Sequence, residues 1–419
     1  MASPPVPDSG SIPLTAGPAR RYDLDWIRVG AFLLLILYHV GMLYVSWGFH
    51  VKSPRIVEGL EPLMMLTNPW RLTLLFLVSG AATRFLVDGF GARGGHPGLR
   101  LAGSRFLRLL PPLLFGMFVI VPPQSYFEIY AALQAHNIPD PAHSIWMKDF
   151  WVHYATSWGQ WCDADGCLRT PTWNHLWFIA YLLPYGLIVA VLIALAGRPM
   201  KAVGRMLERR LSGWGLLVWP VLWFVLLRFT LAPHFEITHD LTGDWYNHAL
   251  SFGAYLFGFL TARSETLKAA YIRMRRPALV LALLSWVAWA GYAWVYRADD
   301  AMPPDALRMV MRVVYSIDQW TFMAAILGYG ARWLNRGGPV LRYLTVGVFP
   351  FYIVHQTVII TAAHYLMPLD LPLAVEAGLV IGATVAGCIL AYEIARRLGW
   401  FGLLLGVKPQ AAKRPPRAA

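Results

Sequence analysis

Arg28 and His39 lie eleven residues apart on one apolar segment, which opens Asp25-Trp26-Ile27-Arg28 and closes Tyr38-His39. Eleven helical steps of about 100° end about 20° from the starting direction, so both side chains share one helix face, roughly 16 Å apart along the axis. A guanidinium binds phosphate or carboxylate oxygens, and an imidazole exchanges protons near neutral pH. In a bilayer both are costly, which makes them functional candidates. Alone, Arg28 reads as a snorkelling anchor and His39 as an interhelical hydrogen bond. Their shared face favours a joint role. Asp25, three residues before Arg28, is placed for a local ion pair.

Other chemistry-bearing residues sit at similar depth. Asp318, with Tyr315 and Gln319 nearby, is a carboxylate inside an apolar stretch and needs a partner; His39, His355 and Arg228 are the candidates. His355 is flanked by Tyr352 and Gln356, and His175 stands in Asn174-His175-Leu176-Trp177. Trp177 also fits an interfacial aromatic belt. Phe76-Leu77-Val78-Ser79-Gly80 puts a small pair at mid-depth, suited to close helix packing or to a gap that admits a narrow chain. Arg71 near the outer end could meet an anionic group. None of the histidines has compact metal-ligand spacing, so no metal site is expected, and neither a Gly-rich phosphate loop nor a nucleophile elbow is present.

The elements that must hold these residues follow from composition. The 419 residues are 57% hydrophobic and only 14% charged, with mean hydropathy +0.48. This is an all-α polytopic membrane protein. Ten spans are predicted, at about 27–47, 69–87, 104–121, 174–196, 214–231, 246–262, 277–296, 311–330, 341–362 and 372–395. The net charge of +13 is divided among short connections, which argues against nucleic acid as partner. Of the 36 basic residues, 26 fall on one side of the predicted array. That side is cytoplasmic by the positive-inside rule, and both termini share it.

Residues 1–22 read as a disordered cytoplasmic tail without a signal-peptide pattern, 23–398 as the membrane domain and 399–419 as a basic cytoplasmic tail. The one long outer connection, 122–172, is aromatic and is expected to form interfacial helices. Within it, Cys162 and Cys167 could pair on an oxidising face or remain thiols, with the disulfide preferred.

These motifs resemble the membrane acyltransferase-3 family over nearly the whole chain. The carriers are Leu24-Asp25-x-x-Arg28-x10-His39, Phe76 to Gly80, and His175-Leu176-Trp177-Phe178. Phe49-His50-Val51-Lys52-Ser53 is similar to a segment of the family's periplasmic-glucan succinyltransferase branch. One departure is Ala81-Ala82, after Gly80, where members often carry a larger residue. The resemblance implies transfer of an acyl group, succinyl in preference to acetyl, from cytoplasmic acyl-CoA to a carbohydrate outside a bacterial cytoplasmic membrane. No cofactor is bound permanently.

On that reading Arg28, Asp25, Arg84, Ser79 and Gly80 serve the donor: the arginines would hold CoA phosphates, and the pantetheine arm would pass the small pair. His39 would act as general base or brief acyl carrier, with Asp318 and His355 as catalytic partners. His50, Arg71, His175 and Trp177 would serve the acceptor or the acyl group. A competing class is a secondary transporter or flippase, which also needs intramembrane His and Asp; no internal repeat of Pro/Gly-broken helix pairs supports it.

Overall fold

The computed structural model describes residues 20–137, 147–156, 161–163, 166–298 and 300–408. Along the chain come α1 (Tyr22–Gly41), α2 (Glu61–Met65), α3 (Arg71–Gly91), α4 (Pro97–Phe115), α5 (Pro122–Ala135), α6 (Phe150–Ala155), a hairpin of β1 (Trp161–Asp163) and β2 (Gly166–Leu168), α7 (Trp177–Arg210), α8 (Gly215–Thr230), α9 (Trp245–Thr261), α10 (Glu265–Val295), α11 (Asp305–Trp333), α12 (Pro339–Leu366) and α13 (Leu373–Ala395). Among the described residues the all-α expectation holds, with that short antiparallel hairpin as a local addition. Its register sets Cys162 opposite Cys167, and Cys162 is disulfide-bonded.

Seven stretches are long and apolar enough to cross a membrane: α1, α3, the continuous α4–α5 run, α7, α10, α12 and α13. The other predicted segments are also helical. α8 is apolar with 16 residues, α9 has 17, and α11 has 29 but carries Arg308, Arg312, Asp318 and Gln319.

Three boundaries differ from expectation, each for a backbone reason. The third segment does not stop at 121, because a π-turn at Gly116–Ile120 carries α4 into α5. Pro111 and Pro112 lack the N–H groups a regular helix needs just before that turn, and such defects are accommodated by local unwinding. The fourth continues past a break at Ala196 (φ −127°, ψ 27°) to Arg210. Packed structure also extends beyond 398: Gly399–Leu405 forms a 3-10 helix against α4, α12 and α13, and Val407 is buried. Of the expected tails 1–22 and 399–419, residues 1–19 and 409–419 lie outside the described residues.

α1 is the central helix, in contact with α3, α11, α12 and α13. α10 and α13 leave most of their apolar surface outside the bundle. Lys52 donates to the carbonyls of Met42, Val45 and Trp47. Met42 immediately follows α1, and Val45 and Trp47 lie in the loop beyond it, so the ammonium holds that loop in place.

α3 and α9 meet backbone to backbone. A Cβ on Gly80 would run into the Tyr255 carbonyl, and one on Gly258 into the Leu77 carbonyl. Gly80 is thus taken up by helix packing, the first of the two roles its small size suggested. Gly80→Val should therefore abolish the folded bundle, seen as loss of monodisperse protein after detergent extraction. Gly89→Ala on the same helix, where an added Cβ meets nothing within 4 Å, should leave thermal unfolding unchanged or raise stability by up to about 1 kcal/mol.

Candidate active site

α1 and α12 bring two predicted histidines into contact. His39 Nδ1 lies 2.8 Å from His355 Nε2, with the ring planes 3° from parallel. His355 Nδ1 is 2.7 Å from the Tyr352 carbonyl oxygen. A carbonyl only accepts, so His355 Nδ1 carries the proton and Nε2 of the neutral ring accepts. The donor to it is then His39 Nδ1–H. The outcome is a directional chain, His39 to His355 to Tyr352, that leaves the lone pair of His39 on Nε2. His39 is half-buried and His355 fully buried.

His175 stands edge-on to His355, with ring centroids 5.0 Å apart. Both its ring nitrogens are engaged: Nε2 donates to the Ile353 carbonyl at 3.0 Å, and Nδ1 accepts from the Gln124 amide at 3.3 Å. Tyr352 returns the contact by donating its hydroxyl to the His175 carbonyl. Gln124, fully buried at the start of α5, also bonds Thr357 at 2.7 Å, Gln356 at 3.1 Å and Asn174 at 3.2 Å. His175 thus positions α12 behind His355. Gln124 escaped the sequence reading because nothing in its neighbourhood marks it.

On the other side of His39 lie Phe49 and His50. The Phe49 ring stacks at 6.1 Å on His39 and sits 5.2 Å from His50. His50 Nδ1 pairs with Glu128 Oε2 at 2.7 Å, and both side chains are partly exposed. Glu128 was also missed, although it is the one charged residue of α5 and so carried a readable signal.

Asp318 is not joined to the imidazoles. It is fully buried on α11, and neither carboxyl oxygen has a hydrogen-bond partner among the described residues. The orienting role expected of it is performed by the Tyr352 backbone carbonyl. Arg228 does not pair with Asp318 either; its guanidinium lies over Tyr315, 3.7 Å from the ring centroid.

Three cations near the His39 end of α1 have different fates. Lys52 is bound to the carbonyls of the loop after α1. Arg55 is bound by buried Glu376 at 2.7 Å and by Asp370 at 3.6 Å. Arg71, buried, lies over the Tyr38 ring at 3.3 Å and donates to Asn68 at 3.3 Å, but its Nε has no partner and no carboxylate pairs with it among the described residues. Trp177 stacks on His239, centroids 4.1 Å apart. His239 lies in the loop 231–244, and burial holds its imidazole below the ordinary range, opposed by Asp244 and reinforced by Arg71.

Near the N-terminal end of α1 is a cavity of about 340 Å³ lined by Arg20, Arg21, Arg28, Arg263 and Asp25, with Val78, Ala82 and Phe85 as its apolar wall. Asp25 is 2.7 Å from Arg20 and 3.5 Å from Arg28, so its charge is shared. Arg28 also donates to the Thr345 carbonyl at 3.4 Å, and its Nε remains unpartnered. Arg84 faces Asp88, which also binds Arg263; it borders the adjoining cavity on the α7 side rather than this one. Ser79 is half-buried one turn from Ala82. The small side chain at 82, the departure noted in the sequence, widens this cavity.

The family model described as an acyltransferase domain matches residues 21–393. Glucans biosynthesis protein C of Escherichia coli (strain SMS-3-5 / SECEC) is 22% identical over 431 aligned positions, covering 96% of this chain and 98% of its own length. The proteins of the same name in Escherichia coli O157:H7 and in strain K12 / DH10B are also 22% identical, with the same coverage. No solved structure matches. With only the two ends of the chain outside the match, the protein belongs to the acyltransferase-3 family of membrane proteins.

Proposed function

We propose that this protein is an integral-membrane O-acyltransferase that moves an acyl group from cytoplasmic acyl-CoA to a hydroxyl of a cell-envelope glucan. The observation that carries the reading is the hydrogen-bond chain that leaves His39 Nε2 free as a base. The bilayer would be the bacterial cytoplasmic membrane, crossed ten times with both termini inside. The glucan acceptor is suggested by the name of the relatives.

The arginine-lined cavity suits the donor. Arg21 is paired with Asp23 and Arg263 with Asp88, while Arg20 and Arg28 share Asp25, so the cavity keeps a net positive charge, and guanidinium groups bind phosphate through paired N–H bonds. The phosphates of CoA would rest there. The thioester would reach His39 roughly 16 Å along α1.

Nε2 of His39 then removes the proton of the acceptor hydroxyl as its oxygen attacks the thioester carbonyl. A C–O bond forms and the C–S bond breaks. The leaving thiolate recovers the proton from His39. His355 holds the tautomer and shares the charge His39 gains in passing. Transfer through an acyl group briefly carried on His39 would use the same lone pair.

Arg71 bears on the acyl group. Lys52 and Arg55 are engaged within the protein, whereas Arg71 has no carboxylate partner among the described residues. That supports an acyl group with its own carboxylate, succinyl in preference to acetyl.

Incubating purified protein with labelled acyl-CoA and glucan tests the reading by label on the glucan. His39→Ala should lower transfer by about 100-fold to 10,000-fold, the range for a lost general base. Full transfer by folded His39→Ala protein would overturn the proposal. His355→Gln, whose side-chain carbonyl can still accept from His39, should retain more activity than His355→Ala. Arg28→Gln should raise KM for acyl-CoA about tenfold, the loss of one charge-assisted contact, with a smaller effect at high salt.

A further inference from the structure

We propose that the large cavity between α3, α7 and α9 takes the 3′-phosphorylated nucleotide end of coenzyme A, with Arg198, Lys201 and Arg205 around its phosphate monoester. This seat rests on the transfer reading, which places the phosphates only as a group, beside Arg28.

The cavity measures about 1010 Å³, against about 340 Å³ for the chamber beside Arg28. Sites that bury a drug-sized ligand run from roughly 300 to 1,000 Å³. Coenzyme A joins a nucleotide, a diphosphate and a long pantetheine arm, so the small chamber alone cannot hold it. The two spaces adjoin at Arg263, which lines both. Its guanidinium lies over Phe85, a wall of the small chamber, at 4.6 Å. It also bonds Asp88, a wall of the large cavity, at 2.7 Å. A ligand with its diphosphate in the small chamber can therefore extend past Arg263 into the large one.

The far wall carries the unmatched charge. α7 breaks at Ala196 and continues as helix to Arg210. Arg198, Lys201 and Arg205 stand at i, i+3 and i+7 on this extension, within about 60° of one another, and all three line the cavity. Two contacts hold that face in place. Gly204 packs on α9, where an added Cβ would sit 3.4 Å from the Leu260 carbonyl oxygen. Glu208 accepts from the Ser264 hydroxyl at 2.6 Å. The other carboxylate of the cavity, Asp88, is shared by Arg84 and Arg263. Arg198, Lys201 and Arg205 are exposed and have no ion-pair partner among the described residues. A phosphate monoester carries about −1.5 to −2 charges at neutral pH, and three cations on one helix face are its complement. Ile193 and Leu260 give the same cavity an apolar wall for the base.

The same cations would suit the phosphate of an anionic lipid headgroup. Equilibrium binding to purified protein separates the two sources. Coenzyme A is compared with 3′-dephospho-coenzyme A, and retention of phosphatidylglycerol with that of phosphatidylcholine from mixed micelles. Neither measurement needs turnover.

The wild type should bind coenzyme A about tenfold more tightly than its dephospho form, the worth of one charge-assisted contact. Arg198→Gln, Lys201→Gln and Arg205→Gln together should abolish that preference and leave dephospho-coenzyme A binding unchanged. Lys201→Gln alone should reduce the preference severalfold, and serves where the triple variant does not fold. Arg28→Gln, in the small chamber, should weaken both ligands alike. A folded triple variant that keeps the preference overturns the proposal and leaves the transfer reading standing. So does a triple variant that loses only phosphatidylglycerol, or a wild type that binds both coenzymes equally. Wild-type protein that binds neither coenzyme overturns the proposal and the donor of the transfer reading together.

Discussion

An imidazole inside an apolar bundle must find a hydrogen-bond partner for its N–H, and here that requirement fixes the orientation of the His39–His355 pair. His355 satisfies it on a backbone carbonyl of its own helix, which has no proton to give. The acceptor nitrogen left over then dictates what His39 must present. The arrangement orients the imidazole as a carboxylate would, without placing a second charge in a low-dielectric region, where an ion would need several further contacts to be tolerated. Everything around it keeps α12 in register with α1: the reciprocal bonds between Tyr352 and His175, the Gln124 hub, and the Phe32–Tyr352–Phe178 aromatic packing.

Charge follows a different logic at the two ends of α1. Near its N-terminus, arginines and carboxylates alternate, and Asp23, Asp25 and Asp88 keep several guanidiniums close without mutual repulsion dominating. Near His39, the cations that shape the chain are neutralised internally, and Arg71, left over, stacks on Tyr38. A cation held by an aromatic face keeps its hydrogen-bonding edge, whereas one held by a carboxylate loses it.

Much of this was legible in the chain. A helix stands at each segment the hydropathy indicated, because length and apolarity depend on local composition alone. Arg28 and His39 share a face because helical periodicity is rigid over eleven residues. What could not be read was pairing between distant elements. His39 meets His355 across 316 positions. Asp318 looked like the natural orienting acid, but the reading had no means of seeing that a carbonyl already held that place. Gln124 and Glu128 lie in a stretch read as interfacial, and α5 enters the site only because the π-turn carries α4 onwards. Gly80 matched two roles equally, and only the neighbour across the interface decided between them.

That neighbour has a consequence for motion. Two helices whose backbones touch at reciprocal glycines cannot slide or roll past each other without collision, so α3 and α9 move as one plank. Arg71 and the Val78–Ala82 wall ride on one edge of that plank and Tyr246 on the other. Any relative movement of these elements would therefore fall at the seam between this plank and the α1–α12 pair rather than within the plank.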